Sequence, residues 1–153
     1  MKPKVFVTRK VPEAGLKLLR TRFDVEINPD DRVLTKAELI EGVRGKDALL
    51  CLLTDTVDAE VIQSNTNLRA ISNYAVGFNN IDVGEATKHG IPVTNTPGIL
   101  NDTTADFAFL LLMAAARRLV EGDSICRKNA FPGWGPEYPV SYTHLTLPTK
   151  RIV

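Results

Sequence analysis

Along the chain, short apolar runs alternate with longer stretches in which apolar residues recur every three or four positions. KVFVT, Lys4 to Thr8, reads as a first strand, and Pro12 suits the first turn of a helix whose Ala14, Leu18, Leu19 and Phe23 fall at helical spacing. DVEI, Asp24 to Ile27, is a second short strand. In TKAE, Thr35 and Glu38 have the spacing of a capping box, each side chain able to accept from the other's free backbone N–H, and a helix is predicted to about Val43. ALLCLL, Ala48 to Leu53, is an unbroken apolar run of strand length, as expected of a strand covered on both faces. Asp58 can cap a short helix in AEVIQ. A fourth strand lies in LRAISNYAVG and ends near Asn73, Asp82 and Glu85 repeat the capping pattern before EATKHG, and IPVTNTPG supplies a fifth strand.

Strand, helix, strand in repetition calls for parallel strands joined by right-handed crossovers, with helices on both faces of the sheet. The expected fold class is therefore α/β. Ligands of such sheets sit beyond the carboxyl ends of the strands, which directs attention to TRKVP, LLTDT, NYAVGFNN and TNTPG.

Composition narrows the picture in a few respects. A length of 153 residues with 44% apolar content allows one domain with a proper core and a piece of a second. Nineteen basic against eighteen acidic side chains leave a formal charge of +1, with no long run of either sign, so no footprint for nucleic acid is present. The longest apolar run, FAFLLLMAAA from Phe107 to Ala116, is too short to cross a bilayer, is closed by Arg117 and Arg118, and reads as a buried helix. MKPKVFVTRK enters a strand pattern directly, without an apolar signal region, so a cytoplasmic protein is expected. Cys51 and Cys126 have the spacing of neither a metal site nor a disulfide framework and are read as reduced thiols.

Two stretches carry chemistry. In NYAVGFNNID, Asn73 to Asp82, a strand runs into a turn around Gly77. If Gly77 takes a positive φ, the amides of Val76 and Gly77 can form a small anion-binding nest suited to a carboxylate. Alternatively, Gly77 merely permits a connection, with Asn79 and Asn80 as turn formers and Asp82 as a helix cap. In NTPGILNDTTADFAFLLLMAAARRLVEGD, Pro97-Gly98 looks like a break between two bodies. Asn101, Asp102 or Thr103 can cap the helix that follows, with Thr104 and Asp106 in its first turn. The Thr104 hydroxyl can meet a phosphate there or serve as another capping residue.

KPKVFVTRKVPEAG, ISNYAVGFNNIDVGEATKHGIPVTNTPG and NDTTADFAFLLLMAAARR together resemble the D-isomer-specific 2-hydroxyacid dehydrogenases, and within them the glyoxylate and hydroxypyruvate reductases, over about residues 1 to 139. The resemblance implies a flavodoxin-like parallel sheet as the substrate domain over residues 1–99. Residues 100–139 are then the first helix and dimer arm of an otherwise missing Rossmann domain. It further implies that the Val76 and Gly77 amides hold the carboxylate of a small 2-oxo acid, with Val76 also near the nicotinamide. Leu52 and Leu53 would line the substrate pocket, and Thr104 would contact the cofactor. Asn95 to Leu100 would be a hinge, and Ala114 to Pro139 a dimer surface with Trp134 as an anchor. NAD(P) serves full-length members and is not expected to bind this chain tightly.

Hydride transfer in this family also needs an arginine, a histidine paired with an acid, and a glycine-rich pyrophosphate turn. None is expected here: His89 ends a short helix, His144 lies in the tail, and neither has the context of a catalytic histidine. The expectation is thus the inactive N-terminal part of a homodimeric reductase, with no catalytic residue and no metal, in which FAFLLLMAAA lacks the sheet it should pack against and exposes a large apolar face. A stand-alone flavodoxin-like binding module and a short dimerising regulator are the alternatives. Residues 140–153 are expected to be foreign, since Val140 to Thr149 equal one reading frame of a transposon-end sequencing adapter.

Overall fold

The computed structural model describes residues 2–133; Trp134, the end of the expected dimer arm and the segment 140–153 lie outside them. The chain divides into two compact units, Met1–Ile99 and Leu100–Val153.

The first unit is a five-stranded parallel sheet of order β2-β1-β3-β4-β5. Its strands are β1 (Lys4–Val7), β2 (Asp24–Ile27), β3 (Ala48–Leu52), β4 (Ala70–Tyr74) and β5 (Val93–Thr94). They are joined by α1 (Glu13–Arg22), α2 (Lys36–Val43), α3 (Ala59–Gln63) and α4 (Val83–Lys88). The strand order reverses between β1 and β3, which defines the switch point of a flavodoxin-like sheet. The α/β parallel sheet read from the sequence is the one observed.

The two faces of the sheet are covered unequally. Leu39 and Val43 of α2, Val61 and Ile62 of α3 and Ala86 of α4 close over Phe6, Leu49, Cys51 and Ile71, a core from which water is excluded. On the other face Leu16 of α1 packs with Val5 and Val7, leaving Ala48 and Leu50 only half-buried. β3 accordingly alternates between buried and half-buried residues, instead of being covered on both faces as its apolar run predicts. The face of α1 also differs from expectation. Leu16 is the buried residue, whereas Ala14 and Leu18 are exposed and Leu19 and Phe23 half-buried.

Local signals set the helix starts as their chemistry dictates. Thr35 and Glu38 form the full capping box, with Thr35 N donating to Glu38 Oε2 at 2.8 Å and Glu38 N to Thr35 Oγ1 at 3.4 Å. A two-pronged contact from Arg32 and the donors of Thr35 hold the Glu38 carboxyl well below the ordinary carboxylate range. Asp58 accepts from Val61 N at 3.2 Å. Asp82 accepts from Glu85 N at 2.8 Å, yet here the box is half made. The Glu85 carboxylate turns instead to Gln63 Nε2 at 2.6 Å, Lys88 Nζ at 2.9 Å and His89 Nε2 at 3.1 Å, which together lower its pKa to about 2.

Described by itself, the second unit holds α5 (Asn101–Ala116) and α6 (Leu119–Arg127), separated by Arg118 in the left-handed region at φ 51°. α5 starts earlier than predicted. Leu100 stands at its N-cap without a side-chain bond, so Asn101, Asp102 and Thr103 lie inside the first turn and Asp106 falls beyond it. FAFLLLMAAA is not a buried helix in this chain: no residue of α5 is buried, and Phe107, Phe109 and Leu110 are each more than half exposed. Among the described residues no helix is long and apolar enough to cross a membrane, both cysteines are free, and no cluster of side chains could hold a metal ion.

Candidate functional site at the carboxyl ends of β3 and β4

At the switch point, Thr8 follows β1 and Asp55 follows β3, and both are buried. Thr8 Oγ1 donates to Asp55 Oδ2 at 2.5 Å, and the same oxygen accepts Leu52 N at 2.8 Å. Asn28 Nδ2 donates to Thr8 O at 3.0 Å, carrying the polar seam to β2. The crevice where a flavodoxin-like sheet ordinarily receives its ligand is thus closed by side chains of the chain itself. Asp55 Oδ1 is the exception in this seam, a buried oxygen without a hydrogen-bond partner among the described residues.

Asn80 continues the seam toward β4. Its Nδ2 donates to Leu52 O and to Asp55 O, each at 3.0 Å, and its Oδ1 accepts Asn73 Nδ2 at 2.9 Å. A parallel bridge between Val57 and Ile81 ties the two turns a second time, with Val57 N donating to Asn80 O at 2.9 Å and Asp82 N to Val57 O at 2.9 Å. Asn73 is fully buried at the end of β4 and also donates to Gly77 O at 2.8 Å. Cys51 lies beneath it, its thiol pushed up to about 12 by burial and, secondarily, by the Asp55 charge. That value marks an inert packing thiol rather than a nucleophile.

The turn at Val76 and Gly77 stands on this platform. Leu53, Val76 and Gly77 are exposed and Leu52, at the end of β3, is half-buried, so the four residues expected to meet the substrate lie at two strand ends joined through Asn80. Gly77 is not in the left-handed region, which corrects the expectation of a nest built on positive φ. A Cβ at residue 77 would stand 3.3 Å from Asn79 Oδ1, the end of an exposed side chain that can give way, so space alone does not require glycine there. The backbone carbonyls on either side are occupied, Ala75 O by Thr96 N at 2.9 Å and Val76 O by Asn95 Nδ2 at 2.7 Å. Neither the Val76 nor the Gly77 N–H donates to another described residue. Two exposed backbone donors in succession can receive a small anion such as a carboxylate.

Thr104 lies in the second unit, on α5, where its N–H donates to Leu100 O at 2.8 Å and its side chain is exposed. The sequence reading gave Asn73 only as a strand end, Asn80 only as a turn former and Asn95 only as the start of a hinge, and assigned no role to Thr8 or Asp55. An asparagine inside the apolar strand pattern of β4 was the one visible signal among them.

A family profile described as D-isomer specific 2-hydroxyacid dehydrogenase, catalytic domain, matches residues 5–149. It extends past Pro139, where the sequence reading ended the resemblance, and takes in most of the segment set apart as foreign. The chain is 52% identical over 143 residues to a glyoxylate reductase of Korarchaeum cryptofilum, covering 93% of this chain and 43% of that protein. It is 46% identical over 146 residues to a glyoxylate reductase of Thermococcus kodakarensis, covering 93% and 44%. The crystal structure of the TT0316 protein from Thermus thermophilus superposes with a TM-score of 0.82 at 40% identity, over 90% of this chain and 44% of that one. The chain therefore spans less than half the length of these relatives. With its sheet, its two coupled turns and a family match over nearly its whole length, the chain belongs to the D-isomer specific 2-hydroxyacid dehydrogenases.

Proposed function

We propose that this chain forms the substrate-holding part of an NAD(P)-dependent oxidoreductase that reduces a small 2-oxo acid, glyoxylate or hydroxypyruvate, to the 2-hydroxy acid. The observation that carries this reading is the pair of N–H groups at Val76 and Gly77 without a partner among the described residues, on exposed residues beyond the carboxyl end of β4. The glyoxylate reductases most similar to the chain favour that class of substrate.

In this reading the two amides bind and orient the substrate carboxylate, while Leu52 and Leu53 lie on the adjoining turn and pack against the rest of the small molecule. Bound dihydronicotinamide would supply the hydride to the substrate's carbonyl carbon, the carbonyl oxygen taking up a proton. Val76 lies where it can serve both substrate and nicotinamide. Thr104 fits a cofactor contact: α5 begins without a side-chain cap, so its first amides and the exposed Thr104 hydroxyl are open to an acceptor. Residues 1–99 would be the substrate domain and 95–100 a hinge, consistent with Gly98 at φ 77°. The exposed apolar surface of α5 and α6 suits cover by further protein, including the expected homodimer partner.

The alternative of a stand-alone flavodoxin-like binding module is disfavoured by the Thr8–Asp55 contact, which fills the position such a module would use. Titration of the ¹⁵N-labelled chain with oxalate, a stable 2-oxo acid analogue, tests the choice. Amide shifts centred on Leu53, Val76 and Gly77 are expected, and shifts centred on Thr8 and Arg9 would overturn the reading. The chain alone is also expected to leave NADH and NADPH unoxidised in the presence of glyoxylate; turnover by the purified chain would refute that part.

A further inference from the structure

We infer that Asn95 is a positioning residue for this site: by holding the Val76 carbonyl it aims the Gly77 N–H at the substrate carboxylate. The inference rests on the carboxylate reading above and adds to it how the donors are oriented. A peptide unit is planar and trans, so its C=O and N–H point in opposite directions. The Val76 carbonyl shares a peptide with the Gly77 N–H, and the Ala75 carbonyl shares one with the Val76 N–H. Asn95 Nδ2 takes the first carbonyl at 2.7 Å, and Thr96 N takes the second at 2.9 Å. Both carbonyls are therefore drawn toward residues 95–96, and both N–H groups face away from them.

Backbone normally alternates the direction of successive peptides in extended structure, and a glycine-containing turn left to itself samples many orientations. Two successive N–H groups presented together must therefore be held. Three asparagines do this, one in β4, one in the loop that follows it and one just after β5. Asn73 takes the Gly77 carbonyl at 2.8 Å from below, and Asn80 fastens Asn73 to the β3 turn. Asn95 closes the arrangement from beyond β5. Asn73 is fully buried and Asn80 carries three bonds, so both also support the fold. Asn95, by contrast, makes a single exposed side-chain bond, which lets its positioning role be tested without unfolding the sheet.

The test uses the ¹⁵N-labelled 153-residue chain, with oxalate as the probe. Asn95→Ala and Asn95→Asp both remove the donor; the second keeps the size of the side chain and sets an acceptor against the carbonyl. Each is expected to weaken oxalate binding about tenfold, the worth of one well-directed hydrogen bond to a charged group. The oxalate-induced shift at Gly77 should be lost before that at Val76, whose direction is set by Thr96. A general loss of structure would diminish both together and lower the melting temperature. If the original chain shows oxalate shifts at Val76 and Gly77 while both variants bind as well as it does, the inference falls and the carboxylate reading stands. Equal loss at the two amides also overturns the inference. If oxalate moves neither amide in the original chain, the carboxylate reading itself fails and takes the inference with it.

Discussion

Residues 1–99 and 100–133 are both rich in apolar side chains, and they use them in opposite ways. In the first unit Leu49, Val61, Ile62 and Ile71 are essentially sealed from water between the sheet and three helices. In the second, the most apolar helix of the chain buries nothing: Leu111 is 54% and Leu112 61% exposed. The contrast shows that hydrophobicity specifies a demand for burial and not its fulfilment. A β-strand's demand is met by neighbours brought in through short crossovers, while α5 and α6, each a single layer, have too little surface to cover one another. Contiguous apolar surface of this kind is uncommon on monomeric globular proteins.

Each unit carries one of the chain's two cysteines, and their reactivity should separate the units most sharply. Cys126 on α6 is exposed and should be modified by a maleimide at neutral pH. Cys51, buried and with its thiol pushed up to about 12, should react only after denaturation. Mass spectrometry of the labelled native chain should find one adduct, on Cys126; a second adduct before unfolding would break the comparison.

Truncation in the core comes next. Ile71→Ala should destabilise the first unit by about 2–5 kcal/mol in urea unfolding, since a fully buried side chain leaves a cavity behind. Leu110→Ala on α5, where the residue is 55% exposed, should change stability by no more than about 0.5 kcal/mol. Gly42→Ala probes the same core in the opposite sense. The added methyl would stand 2.3 Å from the Phe6 ring, so despite the better helix propensity of alanine a loss of about 1–3 kcal/mol is expected in the same assay.

The smallest effect concerns acid. Glu85 has its pKa lowered from the ordinary 4.5 to about 2 by Gln63, Lys88 and His89, so it binds its proton more readily unfolded than folded. Its contribution is present above pH 4.5 and lost as the pH falls toward 2. Urea midpoints of Glu85→Gln should therefore decline less steeply over that interval than those of the original chain, while thermal unfolding of the second unit stays unchanged.

Much of this molecule could be read without coordinates because the signals are local. The Thr35–Glu38 box, the Asp58 cap and the strand-length runs each depend on residues a few positions apart. The site was legible to a lesser degree. Val76 and Gly77 were singled out through a family motif, and the positive φ expected of the glycine is not observed. The bonds that Asn80 and Asn95 make were not foreseen, because Asn95 is 19 positions from Val76 and Asn80 is 28 from Leu52. Neither separation leaves a periodic trace. α5 marks the limit of such reading: its apolar pattern asks for burial, and whether burial is met depends on what stands opposite.

By itself the sequence determined the order of the elements, the parallel sheet and the positions of the turns, because backbone preference, capping and periodicity act within a few residues. Tertiary structure alone decided which face of each element meets a neighbour. It joined Thr8 to Asp55 at the switch point, and it brought Asn73 of β4, Asn80 of the loop after it and Asn95 beyond β5 around one turn. The reason is geometric. Burial and hydrogen-bond direction are properties of pairs, and those pairs exist only once distant parts of the chain have been placed side by side.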